Sequence, residues 1–213
     1  MAMRLASFNI ESLDAPPKAA VTVAERAEIL RPQLTRLNAD VLCLQEINSQ
    51  RHKGGKVRTL DALECLLKGT QYESYERAAS QGTGGDSLAD VHNLVILSRF
   101  PICSVIELKH TLISPLAYQC VTSMPNDTTP RPVFFERPAL VTEVALKSSA
   151  KLTVINLHLR APLASAIAGQ KHSPFSWKST SGWAEGFFLS NAMRFAGCRH
   201  LITECFVMDI DAR

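Results

Sequence analysis

The chain opens with short apolar runs separated by a stretch of helical periodicity. Residues 4–10 and 41–45 have the length of strands, and the second run is apolar enough to be covered on both faces. Between them, Thr22 and Glu25 form a capping-box pattern. The apolar residues that follow at helical spacing are Ala27, Leu30, Leu34 and Leu37. This order predicts a β-α-β unit with parallel strands, in which Pro32 makes the helix kink or restart.

Later apolar runs predict more strands and two more helices. The strands are expected over residues 72–77, 93–98, 103–108, 133–137, 139–146 and 151–159, and the helices over residues 60–67 and 184–207. The last helix carries an apolar stripe of Phe188, Ala192, Phe195, Cys198, Ile202 and Cys205. A turn at residues 98–102 makes 103–108 the expected antiparallel partner of 93–98. Strands of both orientations interleaved with helices predict an α/β protein with packed sheets at its centre.

Composition places the chain among globular proteins. Its 213 residues are 46% hydrophobic and 20% charged, which is enough apolar material for one large domain. The net charge of +3 comes with no dense basic run, so it allows a phosphate-bearing partner without arguing for one. Six cysteines without a Cys-x-x-Cys pair are expected to be reduced thiols. No signal peptide or membrane-spanning run is visible, so we expect a cytoplasmic protein with no membrane segment.

Polar side chains gather where several predicted strands end. Glu46 follows the apolar strand 41–45, where a carboxylate is either solvated or a ligand for a hard metal ion. Asn9 lies near the end of the first strand. Asn156 and His158 share one face of the strand predicted over 151–159. The sequence therefore offers a carboxylate, two amides and an imidazole at strand ends.

Four motifs in this order resemble a known family. They are Ser-Phe-Asn-Ile at 7–10, Leu-Gln-Glu at 44–46, Leu-Ser-Arg-Phe-Pro-Ile at 97–102 and Ile-Asn-Leu-His-Leu at 155–159. Together they resemble the endonuclease/exonuclease/phosphatase superfamily, whose members share the fold of deoxyribonuclease I, and the resemblance covers nearly the whole chain. It implies a four-layer α/β sandwich, in which two mixed sheets pack face to face with helices outside. It also implies a divalent-metal phosphoesterase site at one end of the sheets.

The resemblance assigns roles to individual residues. Glu46 matches the metal-binding glutamate, and Asn9 matches the asparagine that helps to arrange the metal site. His158 matches the histidine that faces the scissile phosphate, and Asn156, on the same face, could orient it. Arg137 is similar to an arginine that approaches the substrate phosphate. The expected activity is phosphodiester hydrolysis with Mg²⁺, or alternatively Mn²⁺, on a substrate that includes nucleic acid among its candidates, and no protein partner is implied.

Other readings of these residues stay open. Asn9 and Asn156 could satisfy backbone groups at strand ends, His158 could be an ordinary hydrogen-bonded histidine, and Arg137 could form a surface ion pair. Trp177 and Trp183 could stack on a base or lipid group, although packing beneath a loop is the commoner role. Lys171 is a candidate phosphate contact, whereas Glu185 and Arg194 are expected to be solvated helix charges.

The sequence also departs from the family pattern. The family site needs a Gly-Asp-x-Asn element, a further aspartate and a terminal Asp-His pair, and none of these occurs in residues 1–213. Residues 209–213 resemble the segment that precedes the Gly-Asp-x-Asn strand. We therefore expect a single domain over 1–213 that is truncated before this element and has little activity. The alternative is a catalytically silent module that binds a phosphate ligand.

Overall fold

A computed structural model of the protein describes residues 3–16, 19–52, 54–55, 57–82, 87–108, 114–134, 137–146 and 150–211, with side chains of the last helix described to residue 198. The chain divides into two compact units. The first unit comprises Met1–Glu107 and Pro138–His158, and the second comprises Leu108–Arg137 and Leu159–Arg213. The expectation of a single domain over residues 1–213 stays a prediction.

Strands and helices alternate through the first part of the chain, as the sequence predicted. In chain order the strands are β1 (Leu5–Leu13), β2 (Val41–Ile47), β3 (Gln50–Arg51), β4 (Arg58–Thr59), β5 (Glu76–Ala79), β6 (Asn93–Ser98), β7 (Ile102–Leu108), β8 (Leu116–Tyr118), β9 (Arg131–Val133), β10 (Ala139–Ala145), β11 (Lys151–Asn156), β12 (Lys171–Ser173) and β13 (Ser176–Trp177). The helices are α1 (Val23–Leu37), α2 (Asp61–Leu67) and α3 (Thr180–Asp211), and a 3₁₀ turn covers Gln71–Ser74.

Two sheets form the first unit. One has the strand order β1-β2-β6-β5, with β1 parallel to β2 as predicted and the remaining neighbours antiparallel. The other has the order β11-β10-β7, so the predicted pairing of residues 103–108 with 93–98 is wrong. The turn between β6 and β7 leads the chain from the first sheet into the second. At this turn, the N–H of Ala145, the last residue of β10, donates to the Pro101 carbonyl at 2.9 Å.

The central strands β2 and β6 are buried on both faces, which explains their continuous apolar runs. One face packs beneath α1 and α2, and its core includes Leu34, Leu42, Leu44, Leu63 and Leu97. The other face packs against the second sheet, and that core includes Val41, Ile96, Leu140, Val144 and Val154. Burial of each large side chain contributes about 1.5–3 kcal/mol. The first unit thus contains a helical layer and two packed sheets, in agreement with the predicted α/β sandwich.

Helix α1 begins and ends at residues that the sequence identifies. The Thr22 hydroxyl accepts from the Glu25 N–H, and the Glu25 carboxylate accepts from the Thr22 N–H, which confirms the capping box. Asn38 ends the helix with a φ of 44°, a conformation that asparagine tolerates. Pro32 lies within a continuous helix, so the predicted restart does not occur.

Tyr72 corrects the strand predicted over residues 72–77. It belongs to the 3₁₀ turn, and β5 begins only at Glu76. Its buried hydroxyl donates to the Leu34 carbonyl at 3.0 Å and accepts from the Ala39 N–H at 3.0 Å. The Tyr72 hydroxyl therefore stabilises the end of α1, and the backbone of this residue does not pair in the sheet.

The second unit contains the β8–β9 pair, the β12–β13 hairpin and α3. The predicted apolar stripe of α3 is wrong in its described part, because Phe188 and Phe195 are exposed; Ile202 and Cys205 lie outside the described side chains. The buried positions in the described part of α3 are Gly182, Glu185, Gly186, Leu189, Ser190 and Gly197. Glycine is required at residue 186 because a side chain there would collide with the Ser165 carbonyl.

Glu185 is not the solvated charge that the sequence predicted. Its buried carboxylate accepts from the Tyr118 hydroxyl at 2.9 Å, from the Thr122 N–H at 2.8 Å and from the Val121 N–H. Arg194, the other predicted solvated charge, donates to the Arg160 carbonyl. Both side chains therefore connect α3 to loops of the second unit.

The described cysteines are free thiols, as predicted. Cys43 is buried in β2, whereas Cys103 is exposed. Burial raises the pKa of the Cys43 thiol to about 11, so this residue remains protonated at neutral pH.

Candidate active site

The end of β1 contains a bulge that the sequence did not predict. Asn9 pairs with Gln45 and Leu13 pairs with Ile47, so three residues of β1 stand opposite the single residue Glu46. We call Ile10, Glu11 and Ser12 the β1 bulge. Glu11 and Ser12 have φ values of 58° and 51°, and Glu46 has a φ of 64°. Left-handed conformations are uncommon for residues other than glycine and cluster at functional sites.

The bulge aims hydrogen-bond donors at the Glu46 carboxylate. The Ser12 N–H donates to Oε2 at 3.0 Å, and the Ser12 hydroxyl lies 3.3 Å from the same atom. The Asn9 amide donates to Oε1 at 3.1 Å. Its own oxygen accepts from the Glu11 N–H at 2.8 Å, so the bulge also fixes the orientation of Asn9. Both oxygens of Glu46 are therefore held in place by neutral groups of β1.

His158 completes this cluster from the second sheet of the same unit. It lies two residues beyond the end of β11, so the strand predicted over 151–159 is shorter than expected. Its Nε2 lies 3.3 Å from Glu46 Oε1 and 3.5 Å from Asn9 Nδ2. The side chains of His158 and Glu46 are 17% and 19% exposed, which leaves both accessible to a small ligand. The structure brings these three predicted residues together, while their roles stay predictions.

The environment keeps Glu46 ionised. Partial burial acts to raise the pKa of Glu46. The hydrogen bonds from Asn9 and Ser12 and the charge of the neighbouring His158 outweigh burial, and the pKa is lowered from its usual value. Among the residues that the structure describes, His158 is the sole ionic partner of this carboxylate.

Asn156 lies in the core beside this cluster. Its oxygen accepts from the Gln45 amide at 2.7 Å, and its nitrogen donates to the carbonyls of Leu44 at 2.9 Å and Val95 at 3.0 Å. These contacts connect β11 to β2 and β6 across the two sheets. They favour the backbone-satisfying reading of Asn156, and its role in orienting His158 stays a prediction.

The remaining candidates belong to the second unit. Of the strand predicted over 133–137, Val133 ends β9, whereas Phe134 and Arg137 lie outside the strands and residues 135–136 are outside the described part of the chain. Arg137 and Arg160 line a cavity of about 380 Å³. The phosphate-binding role of Arg137 stays a prediction.

The tryptophans and Lys171 make contacts within the second unit. Lys171 donates to the Pro174 carbonyl at 2.7 Å and lies over the Trp177 ring at 4.3 Å. Trp183 stacks on Phe187 with the ring centres 5.5 Å apart. Trp183 remains 45% exposed, so stacking of the tryptophans on a ligand and phosphate binding by Lys171 stay predictions.

Sequence reasoning missed two residues beside Glu46. Ser12 lies beyond the predicted end of the first strand, and only the bulge turns it toward the carboxylate. Arg26 looks like an ordinary helix charge, but its guanidinium donates to all three carbonyls of the β1 bulge. A basic residue within the first turn of α1, where acidic residues are favoured, was the available signal.

The donor set fits a hard divalent cation that keeps most of its waters. Glu46 supplies a carboxylate, and Mg²⁺ is commonly bound by one or two carboxylates together with waters and substrate phosphate. Asn9 contacts Glu46 through its amide nitrogen, and its amide oxygen accepts from the Glu11 N–H. Within the described residues, no three His, Cys, Asp or Glu side chains come close enough together to hold a metal ion.

The first unit defines a class of protein: a two-sheet α/β sandwich with a carboxylate, an amide and an imidazole clustered at strand ends. The model of the Endonuclease/Exonuclease/phosphatase family matches residues 6–187, and the chain belongs to this family.

Several solved structures are similar to this chain. A family protein from Leptotrichia buccalis C-1013-b is 17% identical with a TM-score of 0.46, and the match covers 79% of this chain and 59% of that one. A functionally unknown conserved protein from Enterococcus faecalis V583 is 16% identical with a TM-score of 0.46, over 74% and 53% of the two chains. A β-hairpin deletion mutant of β toxin from Staphylococcus aureus is 17% identical with a TM-score of 0.43, over 80% and 55%.

The chain thus spans less than two thirds of the length of these structures. The comparison with curated proteins found no match. In the described part of the chain, none of the helices combines the length and apolar character needed to span a bilayer.

Proposed function

We propose that the Glu46 cluster serves phosphodiester hydrolysis assisted by a divalent cation, Mg²⁺ or Mn²⁺. The observation that carries this proposal is the convergence of Asn9, Ser12 and His158 on one ionised carboxylate in a chain of this family. Clustered polar groups at strand ends with a lowered carboxylate pKa are typical of a functional site.

Glu46 is the residue that would hold the cation. When bound, a divalent cation supplies charge stabilisation to the phosphoryl oxygens and the leaving oxygen. Asn9 and Ser12 keep the two carboxylate oxygens of Glu46 in a fixed orientation, so the site needs little rearrangement to bind a cation. Their neutral donors leave the negative charge of Glu46 available.

His158 would act on the substrate phosphate. Its Nε2 lies 3.3 Å from Glu46 Oε1. A phosphoryl oxygen bound near the carboxylate would therefore lie within reach of the ring. A protonated imidazole donates a hydrogen bond or a proton to such an oxygen. For Arg137, which belongs to the second unit, we propose phosphate binding by its guanidinium.

A second candidate is a phosphate-binding module without turnover. It is favoured by the absence, among the described residues, of a group of three metal-ligating side chains. The cavity that Arg137 and Arg160 line has the size of a small-ligand site.

Substituting Glu46 tests the first candidate. Glu46→Gln keeps the shape of the side chain but removes its charge, so we expect Mn²⁺ affinity in titration calorimetry to fall at least about tenfold and turnover of a generic phosphodiester to reach background. The matched control is Glu143→Gln, because Glu143 is an exposed carboxylate of the same unit that pairs with Lys151 at 2.8 Å. Unchanged Mn²⁺ affinity in Glu46→Gln would overturn the proposal.

The same proteins separate the two candidates. A module without turnover predicts that the wild-type protein hydrolyses nothing. It also predicts that phosphate binding survives in Glu46→Gln. Binding to DNA that weakens steeply with salt would identify a nucleic-acid substrate, because phosphate contacts release counterions.

A further inference from the structure

The guanidinium of Arg26 donates hydrogen bonds to all three backbone carbonyls of the β1 bulge. Arg26 Nη2 donates to the carbonyls of Ile10 at 2.7 Å and Glu11 at 2.9 Å, and Nη1 donates to the carbonyl of Ser12 at 2.9 Å. The backbone of Arg26 is fixed in the first turn of α1, where its N–H donates to the Thr22 carbonyl at 3.0 Å. A side chain of helix α1 thus closes a backbone irregularity of strand β1.

These carbonyls need a donor from outside the sheet. Because three residues of β1 face only Glu46 of β2, the regular ladder between the strands is interrupted over the bulge. The contact with the Ile10 carbonyl is partly buried, whereas those with the Glu11 and Ser12 carbonyls are exposed, so loss of the donor is most costly at Ile10. Arginine is suited to this task because its planar fork presents several donors in fixed directions, whereas the lysine ammonium is a single flexible point.

The bulge in turn holds the groups around Glu46. The Ser12 N–H points at Glu46 Oε2, and the Glu11 N–H points at the Asn9 oxygen. If the bulge relaxed toward a regular strand, both donors would change direction. The Glu46 carboxylate would then lose the contacts that fix its two oxygens.

We propose that Arg26 is a positioning residue: by holding the β1 bulge in shape it sets the cation affinity of Glu46. The inference rests on the proposed function, since it concerns the same carboxylate. Residues that orient a metal ligand typically change metal affinity by about 10–100-fold when they are replaced.

Arg31 provides a matched control on the same helix. Its guanidinium donates to the carbonyls of Leu66 at 3.1 Å and Cys65 at 2.5 Å, at the end of α2. Arg31→Gln therefore removes the same kind of contact from the same element, but at a place that makes no contact with Glu46. A merely structural arginine should behave like Arg31.

The test compares wild type, Arg26→Gln, Arg26→Lys and Arg31→Gln by Mn²⁺ titration calorimetry, thermal unfolding and amide hydrogen exchange. We expect Arg26→Gln to weaken Mn²⁺ binding about tenfold or more and to speed exchange of the Ser12 amide. Arg26→Lys, which keeps the charge and serves if the glutamine variant fails to fold, should lie between wild type and Arg26→Gln. Arg31→Gln should lower the unfolding temperature and leave both other readouts unchanged.

Two results would overturn the inference. One is that both Arg26 variants bind Mn²⁺ with wild-type affinity. The other is that the Ser12 amide exchanges at the wild-type rate in both variants. If wild type itself does not bind Mn²⁺, the proposed function fails and so does the link to cation affinity, while exchange at Ser12 still decides whether Arg26 holds the bulge.

Discussion

The two ends of β2 each carry a carboxylate, and the two are satisfied in different ways. At the start of the strand, buried Asp40 accepts from the Arg4 N–H at 2.8 Å and pairs with Arg99 at 2.8 Å. At the other end, Glu46 accepts from neutral donors and lies beside a histidine. Arginine is always protonated, whereas the charge of histidine depends on pH. The charge of Asp40 is therefore permanently compensated, and that of Glu46 is not.

The backbone differs in the same direction. Leu5 and Val41 begin a regular parallel register that continues to Asn9, and the irregularity is confined to the Glu46 end. A protein keeps such an irregularity where it shapes a site. The comparison separates Asp40, whose contacts hold the fold together, from Glu46, for which we propose ligand binding.

Arg99 gains a structural explanation from this comparison. It belongs to the Leu-Ser-Arg-Phe-Pro-Ile motif that supported the family resemblance. The structure places its guanidinium on Asp40 and over the Phe100 ring, and its N–H on the Asp40 carbonyl at 2.9 Å. This motif therefore stabilises the start of β2 through the contacts of Arg99 with Asp40.

Asn156 contacts β2 close to Glu46. Among the substitutions considered, replacing Asn156 should lower stability the most. Asn156→Ala removes one hydrogen bond from each of the Leu44 and Val95 carbonyls and one from the Gln45 amide, which keeps its contact with the Ser7 hydroxyl at 3.0 Å. Because these three bonds lie in the core, we expect the free energy of unfolding to fall by about 3 kcal/mol. Urea denaturation measures this loss. Mn²⁺ affinity should stay within about twofold of wild type.

Exposed Asn126 is the control, because Asn126→Ala should leave stability within about 0.5 kcal/mol. If Asn156→Ala instead lost Mn²⁺ affinity with little change in stability, Asn156 would belong with the site, as the sequence suggested.

Isosteric substitutions at the two ends test the comparison directly. Asp40→Asn removes the charge that pairs with Arg99, and we expect about 2 kcal/mol of destabilisation at neutral pH, less than for a fully buried pair because Arg99 is half exposed. Glu46→Gln should change stability by less than about 1 kcal/mol. Equal losses in urea denaturation would contradict the division of roles.

Acid should reveal a smaller effect at Glu46. Its pKa is lowered in the folded protein, so its ionised form contributes stability above the unfolded-state pKa, and this contribution is lost as the pH falls through the folded-state pKa. The difference in unfolding free energy between wild type and Glu46→Gln should therefore shrink as the pH is lowered from about 6 to about 3. A difference that grew on acidification would show that Glu46 is not stabilised in its ionised form.

Much of the fold could be predicted because its signals are local. The apolar run before Gln45 specified a strand covered on both faces, and Thr22 with Glu25 specified the start of α1. Pairing of β7 could not be predicted, because the turn at Pro101 meets Ala145, a residue far along the chain. Contacts between distant segments decide which sheet a strand joins.

The site shows the same division. Motifs marked Asn9, Glu46 and His158, which the structure brings together. Arg26 and Ser12 were missed because their contacts depend on a bulge, and a bulge has no simple sequence signature. Glu185 was misjudged for a similar reason, since its donors come from Tyr118 and Thr122, more than sixty residues away.

The division into two units also places both tryptophans in one of them. Trp177 and Trp183 belong to the second unit, whereas the tyrosines are divided, with Tyr72 and Tyr75 in the first unit and Tyr118 in the second. Tryptophan emission therefore reports on the second unit by itself. Tyrosine emission and circular dichroism report on both units, because Tyr118 and α3 also belong to the second. An unfolding curve that differs between tryptophan emission and circular dichroism would therefore show that the two units unfold separately.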